Sequence, residues 1–444
     1  MESMDKIITK ERIDRLSVLR REMREAALRE AKDSVTPEAA EEILSLLDLY
    51  DERMILWFAG LYDPDIGGFY YSNTARDTKV FLPDIESTRQ SLNFFAVSGL
   101  IPSENLNIMS GLPEAIKNKV VEFTLSLQDE DGFFYHPQWG KKIYPARRGR
   151  DFDWARTILT HAGVSPKYPY ATEKNPSSGK TKLPDYLQSP EAFKEELAKK
   201  DLSKNSYREG HWVASQATLI KAAGDEYVDI IKKWFCDSIR PDNGLWQETV
   251  NYDSVNGLMK ISAACTVLGV PLPYSDKSIE SAIKAALSDE KITFCCEFYN
   301  PWCAINSVVK LAKLVGREDE LARLHEILRE YSPALVRRTK EKIMCCRRDE
   351  GVFSYATTCT IEFSQGAYVS VKGAVEGDVN ATTISCTGTV HSMLSALGIS
   401  KIPIFTREDG KLLLDVMLNA QSVKKIYENP YGDSLPYPKA LDQK

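Results

Sequence analysis

Histidine is scarce in this chain, with five in 444 residues. No H-E-x-x-H and no close His/Cys cluster occurs, so no zinc site is expected. C-x-x-C is missing as well. The nine cysteines are odd in number and include two adjacent pairs, Cys295-Cys296 and Cys345-Cys346, unlike the framework of a secreted disulfide scaffold. No run of about 18 apolar residues exists, so no membrane span is expected. The N-terminal residues are rich in Lys, Arg and Glu without an apolar core, which predicts no signal peptide and a reducing, cytoplasmic location. Positive charge is not in excess either. The net charge is −6, which provides no global basic field for nucleic acid. No G-x-S-x-G elbow occurs. Ser178-Gly179-Lys180-Thr181 has the form of the end of a P-loop, but Lys174 stands where the first glycine is required and no strand precedes it. No metal or cofactor is therefore expected.

What is present is an ordinary globular composition, 43% hydrophobic and 27% charged, enough to bury a large core. Basic runs such as Arg147-Arg148-Gly149-Arg150 and Arg337-Arg338 remain as local anion contacts.

A motif recurs: an acidic or amide residue, then glycine, then an aromatic. It reads Asp65-Ile66-Gly67-Gly68-Phe69-Tyr70, Asp129-Glu130-Asp131-Gly132-Phe133-Phe134, Asp242-Asn243-Gly244-Leu245-Trp246 and Asp349-Glu350-Gly351-Val352-Phe353. Gly68 and Gly132 are 64 residues apart (132 − 68), and the next gaps are 112 (244 − 132) and 107 (351 − 244). The longer gaps are close to twice a unit of about 55, the mark of a repeat architecture. Two units lack the motif, one near Pro184-Asp185 and one near Phe298-Tyr299-Asn300, giving six units.

Each unit reads as helix, motif loop, helix. The predicted first helices are 37–60, 113–128, 190–199, 225–238, 275–288 and 317–331, with 407–420 closing the chain. The predicted second helices are 86–100, 153–162, 209–223, 252–268, 302–315 and 381–396. The second set is small or apolar along much of its length, as in Ile261–Leu268, which marks buried helices. Outer helices such as 317–331 carry Arg317, Glu318, Glu320, Arg323 and Glu326, which suits solvent. Strand patterns are few, Tyr368–Val375 being the best. The fold expected is all-α, an (α/α)6 toroid of six hairpins with few short strands. Residues 1–36 form a charged N-terminal helix, 37–425 the toroid and 426–444 a tail. The helix over 8–33, with Ile13, Leu16, Leu19, Met23 and Ala27 on one stripe, packs on the body or serves an oligomer contact. The Lys/Pro/Ser-rich segment 163–206 breaks the rhythm and reads as a surface insertion or lid.

The loops at Gly67–Tyr70 and Gln128–Phe133 resemble the turns of α/α-toroid proteins. One such group is carbohydrate-active: glycoside hydrolases, N-acylglucosamine 2-epimerases and polysaccharide lyases. The other is the terpenoid cyclases and protein prenyltransferases. No Asp-Asp pair occurs, so the aspartate-rich metal–diphosphate motif of terpene chemistry is missing. The resemblance covers most of 37–420 as pattern, and implies a fold more than a reaction.

In such a toroid the motif loops open on one face, where the second helices begin. Those starts carry Glu86, Arg89, Gln90 and Asn93; Asp153, Trp154 and Arg156; Glu209, His211, Trp212 and Gln216; Asp253, Asn256 and Lys260; Trp302 and Asn306; Asp378, Asn380 and Thr382. So many polar groups on buried helices are costly unless paired or facing a wet cavity. The expected function is a glycoside hydrolase on short oligosaccharides, with a carboxyl acid paired to a carboxylate base or nucleophile. The catalytic candidates are Glu86, Asp153, Asp253 and Asp378, with His211. Arg89, Arg147 and Arg156 would fork onto a uronic acid. Trp139, Trp212, Trp246 and Trp302 would stack on sugar rings. Asn256, Asn306, Asn380 and His136 would bind hydroxyls. His391, inside an apolar helix, reads as core. Glu376 and Asp378, within the glycine-rich stretch 366–380, are a carboxylate pair able to supply an acid or base. A 2-epimerase would instead use His211 and His136 as acid and base, and a lyase a Tyr or His beside an Arg. A non-catalytic scaffold would plug the centre with side chains. The expected partner is a sugar or other small molecule, not nucleic acid or membrane.

Overall fold

The computed structural model describes residues 4–78, 81–174, 184–364 and 366–423. The tail 426–444 and the P-loop-like residues at 178–181 lie outside the described residues. The chain is mostly helical. The helices are α1 (Met4–Ile7), α2 (Lys10–Glu30), α3 (Pro37–Leu47), α4 (Glu52–Gly60), α5 (Asn73–Asp77), α6 (Ile85–Ser98), α7 (Glu114–Ser126) and α8 (Pro145–Ala162). Then come α9 (Ala171–Lys174), α10 (Pro190–Ala198), α11 (Leu202–Ala223), α12 (Asp225–Ser238), α13 (Tyr252–Leu268) and α14 (Ser275–Leu287). The last are α15 (Cys296–Leu314), α16 (Glu318–Met344), α17 (Val379–Thr383), α18 (Thr389–Ala396) and α19 (Arg407–Leu418). Among the described residues one ladder forms, two residues deep, β1 (Phe363–Ser364) against β2 (Ala367–Tyr368), so most of the strand expected over Tyr368–Val375 is irregular. No helix of the described residues is long and apolar enough to cross a membrane.

Local chemistry sets the helix ends. The Thr36 side chain accepts from Ala39 N (3.1 Å) with Pro37 at the first turn, as the sequence predicts. Asp84 caps α6 through Ser87 N (2.9 Å), and Gly99 ends it at φ +101°. Asn251 and Ser254 form a reciprocal capping box on α13. Several bounds depart from expectation: the helices expected from 209 and 302 begin earlier, at Leu202 and Cys296, and the one expected over 381–396 is interrupted at Ile384–Gly388. The helix expected over 37–60 breaks at 48–51, where Asp51 caps a new start. The helix expected over 153–162 begins at Pro145. The helix expected to end at 331 runs through Pro333 to Met344, carried by buried Leu335, Val336, Thr339 and Ile343 packing towards α3 and α14.

The repeat motif is one backbone turn made four times. Asp63, Asp129, Arg240 and Arg348 each donate a backbone N–H to the carbonyl of the residue after the turn glycine, at 2.9, 2.9, 2.7 and 2.8 Å. The equivalent glycines are Gly67, Gly132, Gly244 and Gly351, at φ +90°, +88°, +65° and +78°. In the first unit the turn glycine is thus Gly67, not Gly68. Each also meets the next element: Gly67 faces Lys119 of α7, Gly132 the 169–171 backbone, Gly244 Ser278 of α14, and Gly351 Asp51 and Arg53 at the start of α4. The last turn therefore docks on the first hairpin.

The second helices pack mainly on one another. Helix α6 packs on α8, α11 on α13, α13 on α15, and α15 on α18, while α17 returns to α6. No comparable packing joins α8 to α11 among the described residues. Helices α11 and α13 approach where Gly210 faces Ile261 and Gly257 faces Ser206. The first helices pack outside: α16 contacts α3 and α14, and α4 contacts α19. The insertion is partly docked, since Gln128 bonds the Tyr168 backbone in both directions (2.9 and 3.0 Å). Helix α2 lies on the body. Its buried stripe is Leu16, Arg20, Arg24 and Leu28, with Arg20 on Asp409 and Glu52 at 2.6 Å each. Of the expected stripe, Leu16 is buried, while Ile13, Leu19, Met23 and Ala27 are half-buried.

Alanine at Gly67 would place its Cβ 2.1 Å from the Lys119 carbonyl oxygen in a left-handed backbone. Gly67→Ala is expected to lower unfolding stability by about 2–4 kcal/mol, whereas Gly140→Ala, at positive φ in open space, costs about 1 kcal/mol. Denaturant titration of the two variants separates steric docking from backbone strain.

Candidate functional site

The starts of the inner helices carry two linked polar clusters. The first centres on Arg147, in the first turns of α8, whose side chain is fully buried. It pairs with Asp84 Oδ1 (3.0 Å), Glu86 Oε2 (2.7 Å) and, one turn along, Asp151 Oδ1 (2.9 Å). It also donates to the Ser364 carbonyl (3.3 Å) and stacks over Trp139 at 4.7 Å. Arg150 adds a second cation on Glu86 Oε1 (3.1 Å).

Three carboxylates share two guanidinium groups, so full ionisation would leave a net negative charge in a dry interior. Burial pushes the Asp151 carboxyl up to about 7 against the pull of Arg147, and Asp84 and Glu86 add to the rise. Glu86 is likewise raised, by burial first, with both arginines opposing. Burial alone would lower the Arg147 pKa, but its three carboxylates raise it instead. Burial thus raises both Asp151 and Glu86, while the arginines beside them oppose the rise.

From Glu86 the polar chain continues across α6. Gln90 donates to Glu86 Oε1 (3.3 Å) and to Asn380 Oδ1 (3.4 Å) near the start of α17. Asp378 caps α17 and accepts from Ala381 N (2.7 Å), Tyr355 N (2.8 Å) and the Tyr71 hydroxyl (3.1 Å). Full burial outweighs these three donors and pushes its carboxyl up to about 7. Its partner in the glycine-rich stretch, Glu376, is tied to Thr74. The second cluster joins α13 and α15: Asn300 Nδ2 donates to the Tyr252 hydroxyl (2.9 Å) and to Asn256 Oδ1 (3.0 Å). Beside it the Tyr355 hydroxyl meets Cys296 Sγ at 3.1 Å.

The expected site residues divide sharply. Glu86, Arg147, Asn256, Asn380 and Asp378 fall within these networks. Asp153, Arg156, His211 and Asp253 are exposed, and the carboxylates of Asp153 and Asp253 have no partner among the described residues. Arg156 stacks over Tyr170 at 5.8 Å. Arg147 has no donor geometry left for a substrate carboxylate, because its own carboxylates use it. Trp139, Trp246 and Trp302 are core residues rather than open platforms. Trp302 turns outward to Thr339 of α16 (2.9 Å), Trp246 donates to the Phe235 carbonyl (3.1 Å), and Trp139 to that of Tyr368 (3.1 Å). Trp212 is half-buried against Tyr186 and under Lys200. Asn306 is buried with its Oδ1 unpaired. His136 is buried between the Pro83 carbonyl (3.0 Å) and Gln138 N–H (3.2 Å), stacked on Trp139. Burial lowers its pKa to about 4. Sealed His136 and exposed His211 do not form an acid–base pair.

Open aromatic surface comes from a residue beside a named one. Trp154 is half-buried under Arg150 (4.7 Å) and Arg89 (5.9 Å), and the buried Arg89 Nε has no hydrogen-bond partner. The i,i+4 spacing of Arg147 and Asp151 inside a basic run is the sequence signal that would have found the buried ion cluster. Comparison with protein-family models, curated proteins and solved structures found no match for this chain.

Arg147→Met strands two or three buried carboxyls and is expected to cost about 3–5 kcal/mol in denaturant unfolding. Asp151 makes a signed pH prediction. Its pKa is about 7 folded against an ordinary value of 3.8, so the folded state holds the extra proton between those values. Its contribution to stability therefore falls as pH rises from about 4 to about 7 and is level above. Thermal melts of Asp151→Asn are expected to gain on wild type across that interval and to run parallel to it above pH 7.

Proposed function

We propose that the chain is an (α/α)6 toroid acting as a glycoside hydrolase on short, acid-bearing oligosaccharides. Support for the toroid is the cyclic order of the inner helices and the docking of the last repeat turn on the first hairpin. The α8–α11 interval is then the mouth of the ring, next to the insertion.

The observation that carries the reaction is the contrast between two carboxyls on adjoining helices. Glu86 of α6 is buried and burial raises its pKa, the direction a general acid needs. Asp153 of α8 is exposed to solvent and unpaired, one turn beyond the Arg150 that touches Glu86. A buried carboxyl of raised pKa beside a solvated carboxylate is the division of labour of glycosidic hydrolysis. Glu86 would protonate the leaving oxygen, and Asp153 would activate water or attack the anomeric carbon. Trp154 offers a ring face, and Arg89, which has no carboxylate partner, offers a fork for a uronic acid. Asp378 is better read as the cap that positions Tyr71 and Tyr355.

The test is an aryl-glycoside panel of neutral sugars and glucuronides. Glu86→Gln and Asp153→Asn are each expected to lower kcat by about 10²–10⁴-fold, while Asp253→Asn retains activity. Arg89→Met is expected to raise KM for glucuronides and leave neutral substrates unchanged. Full activity in both carboxylate variants, or no hydrolysis and no sugar-induced rise in Tm, overturns the reading.

A further inference from the structure

We propose that Cys296 is a nucleophilic acyl-transfer site, whose thiolate takes an acyl group from a carboxylic ester. The proposal is independent of the glycosidase reading. It rests on a cluster from three parts of the chain. Cys296 is the first residue of α15, a helix of 19 residues with no side-chain cap. The Cys295 and Glu297 N–H groups are taken by the Tyr355 and Phe294 carbonyls (2.9 and 3.1 Å), so the start presents the N–H groups of Cys296 and Phe298 and the positive end of the helix dipole. Glu297, the nearest acid, bonds back to Thr293 N and Phe294 N at 3.0 Å each instead of capping the helix.

The thiol is framed by donors. The Tyr355 hydroxyl lies 3.1 Å from Sγ, and the Tyr355 backbone is fixed twice, its N–H on Asp378 (2.8 Å) and its carbonyl accepting from Cys295 N (2.9 Å). The adjacent Cys295 is buried, and burial keeps its own thiol protonated. Lys260 reaches towards the same place from α13, over the Tyr207 ring at 5.5 Å, and forms no ion pair among the described residues. These surroundings bring Cys296 down to about 7, the Cys295 hydrogen bond contributing most, with Tyr355 and Lys260 adding to it against burial. A packing thiol behaves in the opposite way: burial raises both Cys265 and Cys386. Cys296 is also half-buried and not sealed. Phe294 at 42% and Tyr207 at 40% exposure form an aromatic rim beside it, a surface for an acyl chain.

The chemistry balances with groups in place. Sγ adds to the ester carbonyl carbon, and the carbonyl π pair moves to oxygen, opposite the orphan N–H groups of α15. The carbonyl re-forms, the ester C–O bond breaks, and the leaving alkoxide takes a proton from the Lys260 ammonium. Burial makes that ammonium the readier acid by lowering its pKa. Water then attacks the thioester and gives its proton to the Lys260 amine, releasing the carboxylic acid and restoring the thiolate.

Full-length protein is mixed with p-nitrophenyl acetate, nitrophenol release is followed, and acid-quenched samples are mapped by peptide mass. The expected result is a stoichiometric burst with the acetyl group on Cys296. Cys296→Ser is expected to remove the burst. Tyr355→Phe is expected to slow it by roughly tenfold, as for loss of a hydrogen bond to a charged group. The exposed thiol Cys345 serves as internal reference in the same digest. Acetylation of Cys345 at a rate equal to or above that of Cys296, or a burst surviving in Cys296→Ser, overturns the proposal. The mapping on wild type decides the matter even if a variant folds poorly.

Discussion

A turn without room for a side chain governs this architecture. At Gly67, Gly132, Gly244 and Gly351 the backbone takes a left-handed conformation while a neighbouring element presses against the Cα. Glycine satisfies both demands at once: it has no Cβ to strain the dihedral and none to strike the neighbour. Each turn reverses the chain from an outer helix and seats that hairpin against the next element. Because the turn at Gly351 meets Asp51 and Arg53, the series ends against its own beginning. The inner helices inherit their order from that seating, and their starts are gathered by consequence.

Gathering so many helix starts concentrates polarity in a dry region, and Arg147 is the main answer to it. One guanidinium ties α6, the start of α8 and the β1–β2 turn, through two acids from the α6 start, one from α8 and a carbonyl at Ser364. The arrangement sets three carboxyls against two guanidinium groups, and burial among them raises the pKa of Glu86. The same crowding that threatens stability thus tunes the group proposed to act, a familiar property of functional sites. Asp378 plays a parallel part across the interior, where a buried cap fixes Tyr71 by its hydroxyl and Tyr355 by its backbone.

Much of the helical pattern was legible because it is local. Caps and turn glycines act within a few residues, so the start of the first hairpin at Pro37 and the 252–268 helix stand where the sequence predicts them. Rotational facing was not legible. Trp302 lies near the start of an inner helix, yet its ring turns to Thr339 on the outer α16, because a large apolar side chain goes where the hairpin packs. The site residues divided for the same reason: Glu86 and Arg89 lie three residues apart, but one is locked by two arginines and the other lacks a carboxylate partner.

The sequence by itself determined the helical character, the recurring turn and the approximate place of the inner-helix starts, since these depend on short-range propensity and periodicity. Only the tertiary structure decided which acids surround Arg147, which tryptophans are core, and that Cys296, one of an adjacent pair in the sequence, sits at a helix start without a side-chain cap beside Tyr355. Those outcomes depend on groups as far apart in sequence as Arg147 and Ser364, or Cys296 and Tyr355. Burial and charge at such contacts are properties of the assembled interior and of no single stretch of chain.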